Sequence, residues 1–351
     1  MKSVSPLTAP VTAAESLRRI ALLLERSRAG TYRVEAFRKA LKVVDKLSDD
    51  DLAARVDGGR LTELTGIGKS TAAVITQAVH GELPEYLESL QDKEIGALAA
   101  GGEELYTATV GDLHTHSDWS DGGSPIIEMV RTAIDLGQDW MALTDHSPRL
   151  TVANGLSAKR LTEQLGVVDK LNRALGEQFR LLRGIEVDIL DDGSLDQTDE
   201  MLDQLEIVTA SVHSKLKMDA GPMTRRMVAA ALDPRVNVLG HCTGRLVTGG
   251  RGQRAQSKFD ARAVFEACAE SGTAVEINSR PERVDPPDEL IELARDLGCL
   301  FAIDSDAHAP GQLDFKELGC ERATRLGIEA DRIVTTWPVE RVLEWANSRR
   351  Q

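Results

Sequence analysis

The sequence predicts an α/β barrel preceded by a small all-α unit. Three observations carry this. After residue 110, seven short apolar runs each end in a polar group; helical patterns separate several of them; and six of the seven histidines sit at those ends. Strands alternating with helices give a parallel sheet with crossovers. The C-terminal ends of such strands are where a βα barrel assembles its site. An open doubly wound sheet is the alternative. Ligand-type residues on nearly every strand end favour closure, because only a ring brings them to one point.

Composition bounds the rest. A chain of 351 residues suggests about two domains. Hydrophobic residues are 42% and charged residues 28%, which excludes a disordered, collagen-like or coiled-coil chain. No apolar run spans a membrane, and Met1–Pro10 does not read as a signal peptide. Cys242, Cys268, Cys299 and Cys320 are scattered, as expected of reduced thiols in a cytoplasmic protein. The net charge is −14 but unevenly spread. Residues 1–100 carry 14 basic and 14 acidic groups, leaving 28 basic and 42 acidic beyond them. The asymmetry marks two different surfaces. The expected division is a helical domain over 1–92, a linker over 93–109 rich in Gly and Ala, and a barrel over 110–351.

In the first part, Leu17, Ile20, Ala21 and Leu24 recur with helical period, as do Ala36, Ala40, Val43, Val44 and Leu47. Ser48-Asp49-Asp50 offers a cap for a further helix. Leu64-Thr65-Gly66-Ile67-Gly68-Lys69 then closes one helix and opens another, a helix-hairpin-helix pattern. Free N–H groups at the new helix start would face a phosphate. A Gly-rich connection that only packs is the competing reading.

In the second part the runs are Val110–Leu113 before His114 and His116, Trp140–Thr144 before Asp145-His146, and Leu181–Ile185 before Glu186. Ile207–Val212 precedes His213, and Val236–Gly240 precedes His241. Ala274–Ile277 precedes Asn278, and Leu300–Ile303 precedes Asp304, Asp306 and His308. Single buried histidines usually satisfy a core. Six together, beside Asp121, Glu186 and Asp306, point to a cluster of zinc, manganese or iron ions. Nine ligands exceed one ion's needs, and clustered ions clamp a phosphate and activate water.

Thr12–Leu90 resembles the N-terminal helical domain of bacterial family X DNA polymerases. Tyr32-Arg33-Val34-Glu35-Ala36-Phe37-Arg38-Lys39-Ala40 and Leu64–Lys69 carry the likeness, with His80-Gly81-Glu82. It implies binding of gapped DNA, with Gly66, Gly68, Lys69, Arg38 and Lys39 as contacts. Val74 stands where some relatives have a Schiff-base lysine, so lyase activity is not carried over. The chain has no room for palm and fingers, so polymerase activity is not expected.

Residues from about 110 to 347 resemble the polymerase and histidinol phosphatase (PHP) family, nearest to the PHP domain of those polymerases. The carrying motifs are Asp112-Leu113-His114-Thr115-His116, Thr144-Asp145-His146, Gly184-Ile185-Glu186, Ser211-Val212-His213, Gly240-His241 and Asp304-Ser305-Asp306-Ala307-His308. The resemblance implies a distorted (β/α)7 barrel with three divalent ions (zinc, manganese or iron). The ligands it implies are His114, His116, Asp121, His146, Glu186, His213, His241, Asp306 and His308. Asp112, Asp145 and Asp304 are expected as acceptors that orient imidazole N–H groups, or else as caps and turns. Arg245 and Arg283 are the leading phosphate contacts. Lys215, Lys217 and Arg280 are further candidates, with a solvated role for Lys217 and Arg280 preferred. Val247–Lys258, with Arg251 and Arg254, reads as a loop at the mouth.

The expected function is metal-dependent phosphoester hydrolysis at a DNA 3′ end, on gapped or 3′-recessed DNA and without a membrane. It would be a 3′–5′ exonuclease, a 3′-phosphatase or cleavage at abasic sites. A small-metabolite phosphatase of the histidinol phosphate type and a non-catalytic repair scaffold are the rivals.

Overall fold

A computed structural model describes residues 5–248 and 252–350. The chain divides into two compact units: a helical one up to Ala97 with Pro310–Gln312, and one made of Leu98–Ala309 with the residues from Leu313 onward.

The helical unit holds α1 (Ala13–Arg26), α2 (Thr31–Val44), α3 (Asp49–Asp57), α4 (Lys69–Val79) and α5 (Glu85–Glu94). Helix α1 is central because its apolar face is complete: Leu17, Ile20, Ala21 and Leu24 are all buried and pack against α2, α4 and α5. Thr12 caps α1 by accepting from the Glu15 N–H, and Ser48 caps α3 from Asp51. Arg38, expected on a DNA-facing surface, is buried instead. Its Nε and Nη2 form a two-pronged pair with Glu25 at 2.8 and 2.7 Å. A buried guanidinium with both prongs occupied holds α2 to α1 and does not reach solvent.

The turn between Leu64 and α4 needs Gly66, which has φ of +101° and sits against α2. A Cβ there would lie 3.2 Å from Val43 Cγ2. Gly66→Val is expected to cost the helical unit about 2 kcal/mol, since a β-branched residue in the left-handed region is strained. Gly68→Val, whose Cβ meets open space, should cost less. Urea melts of the two variants compare them. Equal stabilities would show that the turn does not depend on the left-handed glycine.

In the barrel unit come α6 (Glu103–Ala108), α7 (Ile126–Asp135), β1 (Trp140–Leu143), α8 (Ala158–Leu175), β2 (Arg180–Asp188) and α9 (Asp199–Leu202). There follow β3 (Ile207–Ser211), α10 (Ala220–Leu232), β4 (Val238–Leu239), α11 (Ala261–Ser271), β5 (Ala274–Asn278), α12 (Asp288–Asp296), β6 (Phe301–Asp304), α13 (Lys316–Arg325) and α14 (Val339–Ser348). All neighbouring strands are parallel, in the order β1-β2-β3-β4-β5-β6. Strand β2 pairs β1 through Arg180–Arg183 and β3 from Gly184 onward. The change of partner falls at Gly184, where a Cβ would be 2.8 Å from Leu143 O. The sheet curls there.

The seventh expected strand, Val110–Leu113, is not a regular strand, yet it fills the gap between β6 and β1. Ala142 N–H donates to Asp112 O, Thr144 N–H to Thr115 O, and His116 N–H to Ala307 O, each at 2.8 Å. Side chains replace the remaining ladder bonds: Leu113 N–H donates to Asp304 Oδ1 at 2.8 Å and Thr115 N–H to Thr144 Oγ1 at 2.9 Å. The apolar run was legible; its irregular backbone follows from side-chain acceptors placed on other strands.

The expected linker is also more ordered than its composition implies. It contains the end of α5 and all of α6, whose Tyr106 is buried in the barrel core and donates its hydroxyl to Asp314. Six residues are too few for a periodic signal.

One core layer takes a residue from each strand: Ala142, Leu182, Ile207, Val238, Ala274 and Ala302, covered by Trp337, Val342 and Ala346. Side chains two apart on a strand share a face. Glu276 and Asn278 therefore share the face of Ala274, and Asp304 shares that of Ala302. The inward face of the ring is apolar at one end and polar at the other.

Candidate metal centre

The polar end gathers the nine residues into four overlapping groups: His116, Asp121, His146 and His308; His114, His241 and Asp306; His114, His116 and Glu186; His146, Glu186 and His213. Donor atoms within a group lie within 4.8 Å of one another. Glu186 is the hub. Its Oε2 is 3.3 Å from His114 Nε2, 3.6 Å from His116 Nε2 and 2.8 Å from His146 Nδ1. Its Oε1 is 3.2 Å from His213 Nε2 and 3.0 Å from His241 Nε2. Asp121 Oδ1 faces His146 Nε2 and His308 Nε2, each at 3.4 Å.

The far side of several imidazoles is held. His114 Nδ1 donates to Glu276 Oε1 at 2.6 Å, and His213 Nδ1 to Asp188 Oδ1 at 2.5 Å. His308 Nδ1 lies 2.9 Å from both Asp306 O and Arg280 Nη1. The bonds to Glu276 and Asp188 fix the tautomer that leaves Nε2 of His114 and His213 as a lone-pair donor toward the centre. Glu276 and Asp188 were not predicted as partners. Their signal was the strand period: Asp188 is two residues beyond Glu186 on β2, and Glu276 is two before Asn278 on β5.

Asp112, Asp145 and Asp304 do not touch an imidazole, contrary to one expectation. Asp112 accepts from the His114 and Ser305 N–H groups. Asp145 accepts from Ser117, Ser120 and Gln164. Asp304 takes Leu113 N–H. These carboxylates fasten the loops that carry the ligand-type residues. Burial raises the pKa of all three, and nearby Asp112 raises that of Asp304 further.

Asp306 is over-determined. It has a φ of +50°, and its Oδ2 accepts from Asn278 Nδ2 and Arg283 Nε, each at 3.0 Å. That leaves Oδ1 facing His116 Nε2 at 3.5 Å.

The donor set fits divalent cations. His114 Nε2, both ring nitrogens of His116, His146 Nδ1, His241 Nδ1 and Glu186 Oε2 are buried without a hydrogen-bond partner. Buried nitrogen and carboxylate donors that crowd together without hydrogen-bond geometry are what ligands of a shared cation present; unpaired, they are costly. Charge follows the same logic. Burial opposes ionisation of Glu186, but His114, His213 and His146 outweigh it and hold its pKa well below normal. Burial likewise opposes protonation of His146, yet Glu186 and Asp121 push it up to about 10. A cation supplies that positive charge in place of protons.

Of the expected phosphate contacts, Arg283 lines the cavity over this centre and Arg245 does not. Arg245 Nε donates to Val284 O at 2.8 Å and its Nη2 binds the same carbonyl, so it clamps the β5 loop. Arg280, expected in solvent, sits with Nη1 2.9 Å from His308 Nδ1 and Nη2 2.9 Å from Glu282. Lys215 pairs with Asp191. Arg283→Met is expected to lower turnover about a hundredfold, the scale of one lost oxyanion contact. Arg245→Met should lower the melting temperature and change turnover less than Arg283→Met. Steady-state rates and melts of both variants check this; equal losses of turnover would put Arg245 back beside the substrate. Arg251 lies outside the described residues. Arg254 pairs with Leu246 through the backbone and lines the cavity.

Comparison with known proteins places this geometry. Residues 112–280 match the family model described as PHP domain, and residues 12–82 match the Helix-hairpin-helix domain model. The chain therefore carries a PHP domain and a helix-hairpin-helix domain, and its cluster of His and carboxylate groups has the donor chemistry of a metal-dependent phosphoesterase. It is 36% identical over 253 residues to the "DNA polymerase/3'-5' exonuclease PolX" of Bacillus subtilis, a match covering 72% of this chain and 42% of that one. The chain thus spans less than half of that relative's length. A "Probable phosphatase" of Thermoanaerobacter sp. (strain X514) is 27% identical over 255 residues, covering 68% of this chain and 95% of that one. A structure of histidinol phosphate phosphatase from Lactococcus lactis, complexed with zinc, L-histidinol and phosphate, has a TM-score of 0.46 and 19% identity. It covers 63% of this chain and 95% of that one. Among the described residues, no helix is long and apolar enough to cross a membrane.

Proposed function

We propose that this protein hydrolyses phosphoester bonds at DNA 3′ ends, as an exonuclease, a 3′-phosphatase or an abasic-site nuclease. The reading includes three divalent ions of zinc, manganese or iron, held by the nine residues of the centre. When bound, such ions polarise a phosphoryl group and lower the pKa of water at the site. The protein's own part is positioning. Glu276 and Asp188 hold imidazole tautomers, Asn278 holds Asp306, and Arg283 lines the cavity where a phosphate would sit.

The observation that favours DNA over a metabolite is the hairpin on the same chain. Gly68 opens α4 with free space where a Cβ would stand. Lys69 is exposed, and no acid occupies the first turn of this helix. Such a terminus attracts phosphate. Gly66 supports the turn, and Lys39 is exposed but paired with Glu35 at 2.7 Å. Lys69→Gln is expected to weaken gapped-DNA binding several-fold and to reduce the salt slope by about 0.9, one duplex phosphate contact. An unchanged slope in a binding titration over salt would make the hairpin merely structural.

The second reading is a metabolite phosphatase, favoured by the near full-length match to a probable phosphatase. The deciding test is kcat/KM of the metal-loaded protein on 3′-recessed DNA beside histidinol phosphate. Preference for DNA supports the proposal, and turnover confined to the small ester defeats it.

A further inference from the structure

The cavity over the centre is large, about 1740 Å³. Sites for drug-sized molecules are about 300–1,000 Å³. Its charge runs against that of the protein. The chain is −14 overall, yet the cavity lining holds six cationic side chains against four carboxylates, two of which are Asp121 and Asp306 of the centre. Two of the cations are set apart by their environment. Lys217 and Lys258 are exposed and have no ion-pair partner among the described residues, whereas Lys215 is tied to Asp191. Their chain segments meet: Ser257 Oγ donates to Leu216 O at 2.9 Å, each lysine directly follows one of that pair, and both line the cavity. Deeper in the same cavity, Arg283 stands against Asp306. The lining also offers apolar surface from Leu150 and from Val152, which is 92% exposed on a short turn.

A phosphomonoester of a small metabolite carries one phosphate, which the centre and Arg283 already serve. Two exposed cations further out offer contacts to further phosphates, and Leu150 and Val152 offer apolar surface to a base. We infer that this cavity binds a single-stranded stretch of several nucleotides leading to the scissile bond, with Lys217 and Lys258 gripping phosphates upstream of it and Leu150 and Val152 under the bases. Backbone charge plus apolar contact for bases is how single strands are held without sequence readout. The inference deepens the DNA reading above, on which it rests: it assigns the barrel its own strand-binding surface, apart from the hairpin.

The test uses the full-length, metal-loaded protein and single strands of increasing length: a dinucleotide, a tetranucleotide and an octanucleotide. For the parent, kcat/KM is expected to rise with length. For K217Q/K258Q that rise should flatten, with a loss of about tenfold or more on the octanucleotide. The salt slope on that strand should drop by about 1.4, the value for two single-strand phosphate contacts. Hydrolysis of p-nitrophenyl phosphate should stay within twofold of the parent, which also shows that the variant is folded and loaded. If the parent degrades all three strands but the variant keeps the same length dependence and slope, the basic rim is irrelevant and this inference is wrong while the DNA reading stands. If the parent hydrolyses p-nitrophenyl phosphate and none of the strands, the DNA reading falls and this inference with it.

Discussion

Glu186→Gln is expected to reduce turnover on every phosphoester by about a thousandfold or more, roughly 4 kcal/mol of transition-state stabilisation. The size follows from its position. Five imidazoles approach its two oxygens within 3.6 Å, so the carboxylate joins two of the four ligand groups. Gln keeps the shape and removes the charge that a divalent cation requires. It also brings an NH₂ among nitrogens that must accept the cation with their lone pairs. Asp306→Asn should behave similarly, because Oδ1 faces the centre while Oδ2 is held by Asn278 and Arg283. On the proposal above, gapped-duplex affinity should survive both changes, because the hairpin assigned to duplex binding is built in the helical unit. The measurements are kcat by steady-state kinetics, metal content and a DNA titration. If both variants keep more than about a tenth of parental turnover, a loss under 1.4 kcal/mol, with full metal content, the metallohydrolase assignment of this centre is wrong.

Stripping the metal is expected to lower the melting temperature of the barrel by about 10 °C while abolishing activity. Ions bound at a thousandfold excess over Kd stabilise by about 4 kcal/mol. In a domain of this size each kcal/mol is worth about 2–4 °C. Without ions His114 Nε2, both ring nitrogens of His116, His241 Nδ1 and Glu186 Oε2 have no hydrogen-bond partner, and an unpaired buried polar group costs about 1–3 kcal/mol. Protonation of residues such as His146 compensates only in part. The check is a thermal melt before and after chelation, with metal content measured and the ions then restored. A melting temperature that does not move after proven removal counts against a multinuclear centre.

What the sequence determined by itself was the inventory and its order along the chain. Six histidines and three carboxylates beyond residue 110 announce the chemistry because ligand atoms are set by residue type. Strand ends are legible because an apolar run cannot continue through His or Asp without ending. The same local logic revealed the α1 face and the turn before α4. The tertiary structure alone decided which of several similar groups face one another. Arg245 and Arg283 occupy comparable loops after β4 and β5, yet one guanidinium clamps a carbonyl and the other enters the cavity. Arg38 looks like Lys39 in sequence, but a position one residue earlier on α2 buries it against Glu25. Asp112, Asp145 and Asp304 precede ligand-type residues and fasten backbone, while Glu276 and Asp188 turn the imidazoles. These outcomes depend on how strands wrap and on what an element distant in the chain offers as acceptor. A hydrogen bond such as His114 to Glu276 joins residues 162 positions apart, and no local pattern records the angle at which two strands of a closing ring meet.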